Sequence, residues 1–147
     1  MSDHRPPRYL KPMNRLVKAI GKLGIPAGPS QILTVPGRRS GKLRSTPMTP
    51  FEHEGGLYTV AGYPGADWAA NARAAGVGIL TRGRRSRRVT IVELSPAEAA
   101  PVLRSFAVEV PVGVGFAKRS GLVREGTPAE FEALAGELAV FRFDPAG

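Results

Sequence analysis

"RSTPMTPFEHEGGLYTVAG", residues 44–62, decides the fold. Arg44–Glu54 reads as one long strand, Gly55-Gly56 as a two-residue hairpin turn, and Leu57–Gly62 as the returning strand. Pro47 and Pro50 cannot donate ladder hydrogen bonds, so the first strand is an edge or is bulged near them. An antiparallel hairpin at the heart of the chain argues against a doubly wound parallel sheet.

The flanks extend this pattern. Upstream, Gln31–Val35 alternates as a short strand, and Pro36-Gly37 is a type II turn signature. Downstream, Asp67 is the expected N-cap of an Ala-rich helix over Trp68–Ala75, which Gly76 ends. Trp68, Asn71 and Ala75 share one face of it. Val77–Thr81 and Arg88–Leu94 read as strands joined by "RGRRSRR", residues 82–88, with Gly83 in the turn. "SPAE" (Ser95–Glu98) and "TPAE" (Thr127–Glu130) are capping boxes with proline at the first helical position. The first opens a helix to about Glu109 that buries Ala99, Val102, Leu103 and Phe106; the second turns Phe131 and Leu134 inward. Residues 110–126, rich in glycine, carry no clear period. Leu138–Phe143 is a closing strand. The sum is mainly β with flanking helices: about six mostly antiparallel strands in a closed or half-closed barrel.

Residues 1–8 read as a loose arm, and residues 9–147 as one domain. That domain opens with a basic amphipathic helix over 9–24. Leu10, Met13, Leu16, Val17, Ile20 and Leu23 form one face, and Lys11, Arg15, Lys18 and Lys22 another. Such a helix either packs on the domain with its basic face solvated or lies on anionic lipid as a peripheral membrane contact.

Composition removes several chemistries. The chain of 147 residues has no cysteine, which excludes disulfides, thiolate nucleophiles and iron–sulfur clusters. His4 and His53 have no neighbour at ligand spacing, so no metal is expected. No apolar run reaches the length of a membrane span, and a cytoplasmic location is the expectation. Net charge is +9, and residues 1–97 hold 16 of the 21 Lys/Arg but 5 of the 12 Asp/Glu. The first two thirds therefore expect an anionic partner.

The densest candidate is "VPGRRSGKLRSTPM", residues 35–48. It is not a Walker A loop: three residues separate Gly37 from Gly41 where that motif needs four, and Leu43 stands where Ser or Thr would bind magnesium. Its physics still suits an anion. Backbone N–H groups around Ser40-Gly41 can form a nest, and Arg38, Arg39 and Arg44 offer forked donors. The competing reading is a basic turn with no ligand.

Taken together, Gly37-Arg38-Arg39-Ser40-Gly41, Arg44, Pro47, Trp68 and Asn71 resemble the deazaflavin (F420)-dependent nitroreductase family of split β-barrel proteins. The likeness runs from Ile32 to Thr90, with a weaker echo at Ala139–Phe143. It implies coenzyme F420 as cofactor. Arg38, Arg39, Ser40, Gly41 and Arg44 would hold its phosphate and acidic tail. Thr46, Pro47, Met48 and Thr49 would run beside the deazaflavin ring, and Ala61, Gly62 and Tyr63 near its other edge. Trp68 and Asn71 would line the linker region. The chain departs from many relatives in the short "YPGAD" before Trp68 and in lacking tyrosines in its last third, where Phe106, Phe116 and Val112–Phe116 stand.

The implied function is hydride transfer from the reduced coenzyme to a small apolar acceptor, a quinone, an enone or a nitroaromatic. Tyr63 is the one weak candidate for a catalytic proton donor, with a buried structural tyrosine as its alternative. FMN in the same barrel is a second reading. Its single phosphate needs fewer arginines, and the "RGRRSRR" hairpin, if near the site, would favour the longer tail. A basic nucleic-acid module is a third reading, weakened by the absence of aromatic residues from residues 82–88. The sequence leaves monomer and homodimer both open.

Overall fold

The computed structural model describes residues 30–146. The arm over 1–8 and the basic helix over 9–24 lie outside the described residues. Seven strands form one sheet: β1 (Gln31–Pro36), β2 (Leu43–Met48), β3 (Phe51–His53), β4 (Gly56–Val60), β5 (Val77–Arg82), β6 (Arg85–Glu93) and β7 (Val140–Pro145). Their order is β2-β1-β5-β6-β7-β4-β3, and every neighbouring pair is antiparallel. Four helices flank it: α1 (Asp67–Ala75), α2 (Pro96–Glu109), α3 (Pro111–Arg119) and α4 (Pro128–Glu132).

The expected single strand over 44–54 is two strands, and they occupy opposite edges of the sheet. That placement forces the barrel. Met48 and Phe51 are three Cα steps apart, at most about 11 Å. A flat seven-stranded sheet would hold its edges about 29 Å apart, at about 4.8 Å per strand. The sheet must therefore curl until β2 and β3 approach, and Thr49-Pro50 crosses the seam. The prolines that weaken the ladder in the sequence mark this seam.

Two cores follow from strand alternation. Leu33, Val35, Leu80, Val89, Ile91, Phe141 and Phe143 fill the concave side, together with Ala66, Ala69 and Ala72 from α1 and its approach. Phe51, Val102, Leu103, Phe106, Phe131 and Val140 form the second core, where α2 and α4 cover the other face. Phe106 makes edge contacts with Phe51 and Phe131 at centroid distances of 5.7 and 5.2 Å. Both capping boxes form as expected, and α2 buries the four expected side chains.

Several local expectations change. The β3–β4 turn is centred on Glu54-Gly55, both at positive φ, which is the type I′ pattern; Gly56 already belongs to β4. Tyr58 lies over Gly56, where a Cβ would meet the ring at 2.8 Å. Gly37 has ordinary φ, so Pro36-Gly37 is not a type II turn; Gly41, at φ 73°, makes the reversal instead. "RGRRSRR" is mostly strand rather than connection, because only Gly83 and Arg84 lie between β5 and β6. The closing strand spans Val140–Pro145 and lies inside the sheet, between β6 and β4. The unassigned residues after 110 contain α3, which meets α2 at a bend of 99°. Gly113 allows the meeting: a Cβ there would sit 2.3 Å from Phe106 Cζ. Among the described residues no single helix is long and apolar enough to cross a membrane.

Candidate active site

The β1–β2 loop is held from inside and from outside. Inside, the Gly37 N–H donates to Lys42 O at 2.7 Å, the Gly41 N–H to Gly37 O at 2.9 Å, and the Lys42 N–H to Ser40 Oγ at 3.2 Å. Outside, Asn71 Oδ1 accepts from the Arg38 N–H at 3.0 Å and from Arg38 Nη1 at 2.8 Å. Arg38 also donates to Asp67 O and Asp67 Oδ1, each at 3.4 Å. Asn71 is buried on α1, so these two bonds tie the loop to the helix. This corrects two expectations. Asp67 is the first helical residue, not the N-cap, which is Ala66 with no side-chain bond. The nest is also smaller than expected, because Gly41 and Lys42 spend their N–H groups within the loop.

What remains is aimed outward. Among the described residues the Arg39 and Ser40 N–H groups have no partner, and Arg39 and Arg44 pair with no carboxylate. A cavity of about 660 Å³ is lined by Arg38, Arg39, Ser40, Arg44, Thr46, Trp68 and Asn71, with Gly37, Leu43, Ser45 and Asp67 completing the wall. Three guanidinium groups face one exposed carboxylate there, so the cavity is electropositive.

A second, apolar cavity of about 290 Å³ adjoins it. Trp68 lines both; along β2 Thr46 borders the first, while Pro47, Met48 and, just past the strand, Thr49 border the second. Trp68 is held by Phe141 at a centroid distance of 5.6 Å. The opposite wall comes from Val60, Gly62, Phe106, Val110, Val112, Gly113 and Phe116. Gly62 lets Phe116 approach: a Cβ would lie 3.3 Å from its ring. Phe116 and Val112 remain 44% and 63% exposed, an apolar rim open to solvent.

The structure separates the other candidates. Ala61 is fully buried in the concave core and, with Tyr63, borders a different cavity of about 320 Å³ beside Arg73 and Glu93. Tyr63 is 52% exposed, not a buried structural tyrosine. Arg73 and Glu93 form a two-point ion pair at 2.6 Å that raises the arginine pKa and lowers that of the glutamate. Gly41 shapes the loop without lining either half of the cleft. Leu43, Ser45 and Asp67 in the first cavity and Val60 and Val110 in the second are not marked as site residues by the sequence: Asp67 reads there as a cap, and nothing local singles out the others. Among the described residues no group of three metal-ligating side chains forms. The "RGRRSRR" hairpin is not beside the basic loop. The register Ile32↔Thr81 puts it at the Gln31 end of β1, about 17 Å of strand from the loop that follows Pro36.

An acidic, elongated ligand with a planar ring fits this donor set. Arg39, Arg44 and the free N–H groups suit phosphate and carboxylate oxygens, and the Trp68–Phe116 compartment suits an aromatic ring.

The chain is similar over its length to several solved structures. One is a protein described as a domain-swapped dimer, at 21% identity, TM-score 0.53, covering 91% of this chain and 95% of that one. Another is related to a general stress protein of the pyridoxinephosphate oxidase family, from Clostridium acetobutylicum, at 12% identity, TM-score 0.52, covering 94% and 84%. A third is an FAD-binding protein from Mesorhizobium loti, at 12% identity, TM-score 0.50, covering 94% and 90%. These likenesses establish the split-barrel fold. No curated protein gives a significant match. Residues 10–122 match the profile of the family described as F420H(2)-dependent quinone reductase, well over half of the chain. The chain belongs to that family, and it is an F420H2-dependent reductase whose cofactor is coenzyme F420.

Proposed function

We propose that the protein reduces a small quinone held in the apolar compartment against Trp68, Met48 and Phe116. One observation carries this reading: the electropositive and apolar cavities meet at Trp68, so a cofactor anchored by its acidic end would present its ring beside the acceptor. Arg39, Arg44 and Ser40 hold the acidic end. Arg38 positions them through Asn71 rather than spending its own donors on the ligand. Thr46–Thr49 presents the edge of β2 to the ring. When bound, the reduced coenzyme supplies a hydride.

The compartment itself favours a quinone over an enone. Of its lining side chains only the Thr49 hydroxyl and the Trp68 indole N–H can donate a hydrogen bond, and neither is an acid at neutral pH. A quinone that gains a hydride becomes a phenolate. That stabilised anion can take its proton from water at the open rim. An enone reduced at carbon leaves a far more basic enolate and would gain from a placed acid. Val112 and Phe116 keep the acceptor face dry while the rim admits water.

The test is a steady-state screen with reduced F420 against menadione, cyclohexenone and nitrobenzene. The reading expects menadione to give the highest kcat/KM by at least tenfold. Equal or faster turnover of the enone or the nitroaromatic would overturn the quinone assignment.

A further inference from the structure

The arginines of the β5–β6 hairpin take no part in the cleft, and the pleat shows where they point. Leu33, Leu80 and Arg87 form one row across β1, β5 and β6. Leu33 and Leu80 are each 1% exposed in the concave core. Arg87 therefore continues the concave face toward the barrel mouth, and the pair Arg82↔Arg85 forms the next row on that face. With Arg84, Ser86 and Gln31 they border a cavity of about 650 Å³.

Two further observations mark this mouth as a binding site. Arg82 and Arg85 stand directly opposite each other, a like-charge cross-strand pair that works against the hairpin. Among the described residues Arg82, Arg84, Arg85 and Arg87 pair with no carboxylate. Independently, Gln31 is only 7% exposed, and its amide makes no side-chain hydrogen bond among the described residues. Gln31 thus borders the same cavity as four guanidinium groups that pair with no carboxylate, and its amide keeps its hydrogen-bonding capacity open toward that space. A polyanion would satisfy both: guanidinium forks suit phosphate oxygens, and the amide adds a donor beside them.

We infer that the arginine-lined mouth, formed by Arg82, Arg85, Arg87 and Gln31, binds a phosphate-bearing polyanion at a site separate from the cofactor cleft. The phosphate can come from a free oligophosphate or from a lipid headgroup. The hairpin carries no aromatic side chain on which bases could stack, which disfavours single-stranded nucleic acid.

The experiment titrates the full chain at low ionic strength with inorganic tripolyphosphate by calorimetry. In parallel it measures co-sedimentation with phosphatidylcholine vesicles with and without phosphatidylglycerol. Wild type is compared with Arg82→Gln/Arg85→Gln/Arg87→Gln and with a charge-matched control, Lys118→Gln/Arg119→Gln/Arg124→Gln. The inference expects saturable, salt-sensitive binding of tripolyphosphate or of the anionic vesicles. That binding falls at least tenfold in the hairpin variant and less than twofold in the control, while the affinity for F420 is unchanged. Tripolyphosphate binding identifies a free ligand; vesicle binding alone identifies a headgroup. Four results would overturn the inference: binding of neither probe, equal loss in both variants, loss only when Arg39 and Arg44 are replaced, or binding of a single-stranded oligonucleotide alone. Thermal unfolding of the hairpin variant checks its fold, and removal of the facing charges is expected to leave the midpoint unchanged or raised.

Discussion

Two arginine-rich segments, the loop over 37–42 with Arg44 and the hairpin over 82–88, look alike in sequence and differ in construction. The first is bolted to α1 through Arg38 and Asn71 and opens on an apolar compartment. The second faces its charges against one another across a two-stranded ladder at the far end of β1. Positive charge attracts anions in both. Only the first also fixes the direction in which a ligand must extend. The difference is preorganisation: donors already held in place lose less freedom when a ligand arrives.

The largest expected effect separates the two segments. Arg39→Ala/Arg44→Ala should weaken F420 binding by at least about a hundredfold, since each charge-assisted contact is worth ~1.5–3 kcal/mol. Arg82→Ala/Arg85→Ala should leave that affinity within about twofold. Paired fluorescence titrations check both. If both double variants lose affinity alike, the contrast collapses into net charge.

Asn71→Ala tests the bolt rather than the donors. It strands the Arg38 N–H and should cost ~1–3 kcal/mol of stability in urea unfolding. F420 affinity should fall about tenfold although Arg39, Ser40 and Arg44, the groups assigned to the acidic end, are all retained. Unchanged affinity with reduced stability would show that the loop holds its shape unaided.

A third segment shows an anion nest already filled by the protein's own carboxylate. The backbone N–H groups of Arg124, Glu125, Gly126 and Thr127 all donate to the Glu130 carboxylate. These bonds hold its pKa down at about 2, against an ordinary value of 4.5. A depressed carboxylate pKa means stability that is fully present above about pH 4.5 and is lost as pH falls toward about 2. Glu130→Gln should therefore lower the unfolding midpoint at neutral pH and flatten this acid branch. Thermal unfolding between neutral pH and the acid limit is the measurement.

The smallest effect sharpens the hairpin side. Arg82→Gln/Arg85→Gln removes a like-charge pair and should change stability by only ~0.2–1 kcal/mol, in the stabilising direction. Loss of stability would mean that those side chains support the barrel instead of straining it.

Much of this was legible in the residues because local chemistry decided it. The two capping boxes, the Gly76 stop and the strand over Gln31–Pro36 follow from short-range rules. The Gly37–Gly41 loop, Arg44, Pro47, Trp68 and Asn71 stood out as a set; the fold brings all but Gly41 and Pro47 around one cavity, and Pro47 borders the adjoining one. What stayed hidden depends on distant partners. Nothing local says that β2 and β3 end on opposite edges, because that is a property of seven strands ordered together. Helix α3 was unreadable because Gly113 serves Phe106 on another helix, and glycine weakens the helical signal. Asp67 reads as a cap until Arg38, far upstream, is seen to reach it. Tyr63 drew attention by its chemistry, yet it borders the cavity beside Arg73 and Glu93 and lines neither half of the cleft.

The most direct test of the central claim is a titration of the purified protein with F420 and, separately, with FMN, read by the emission of Trp68, the chain's single tryptophan. Trp68 lies where the two compartments meet, so a ligand spanning both must change its signal. The account predicts saturable quenching by F420 that is lost in Arg39→Ala/Arg44→Ala, with FMN at least tenfold weaker. Quenching by FMN at equal or greater affinity, or F420 binding indifferent to the two arginines, would contradict it.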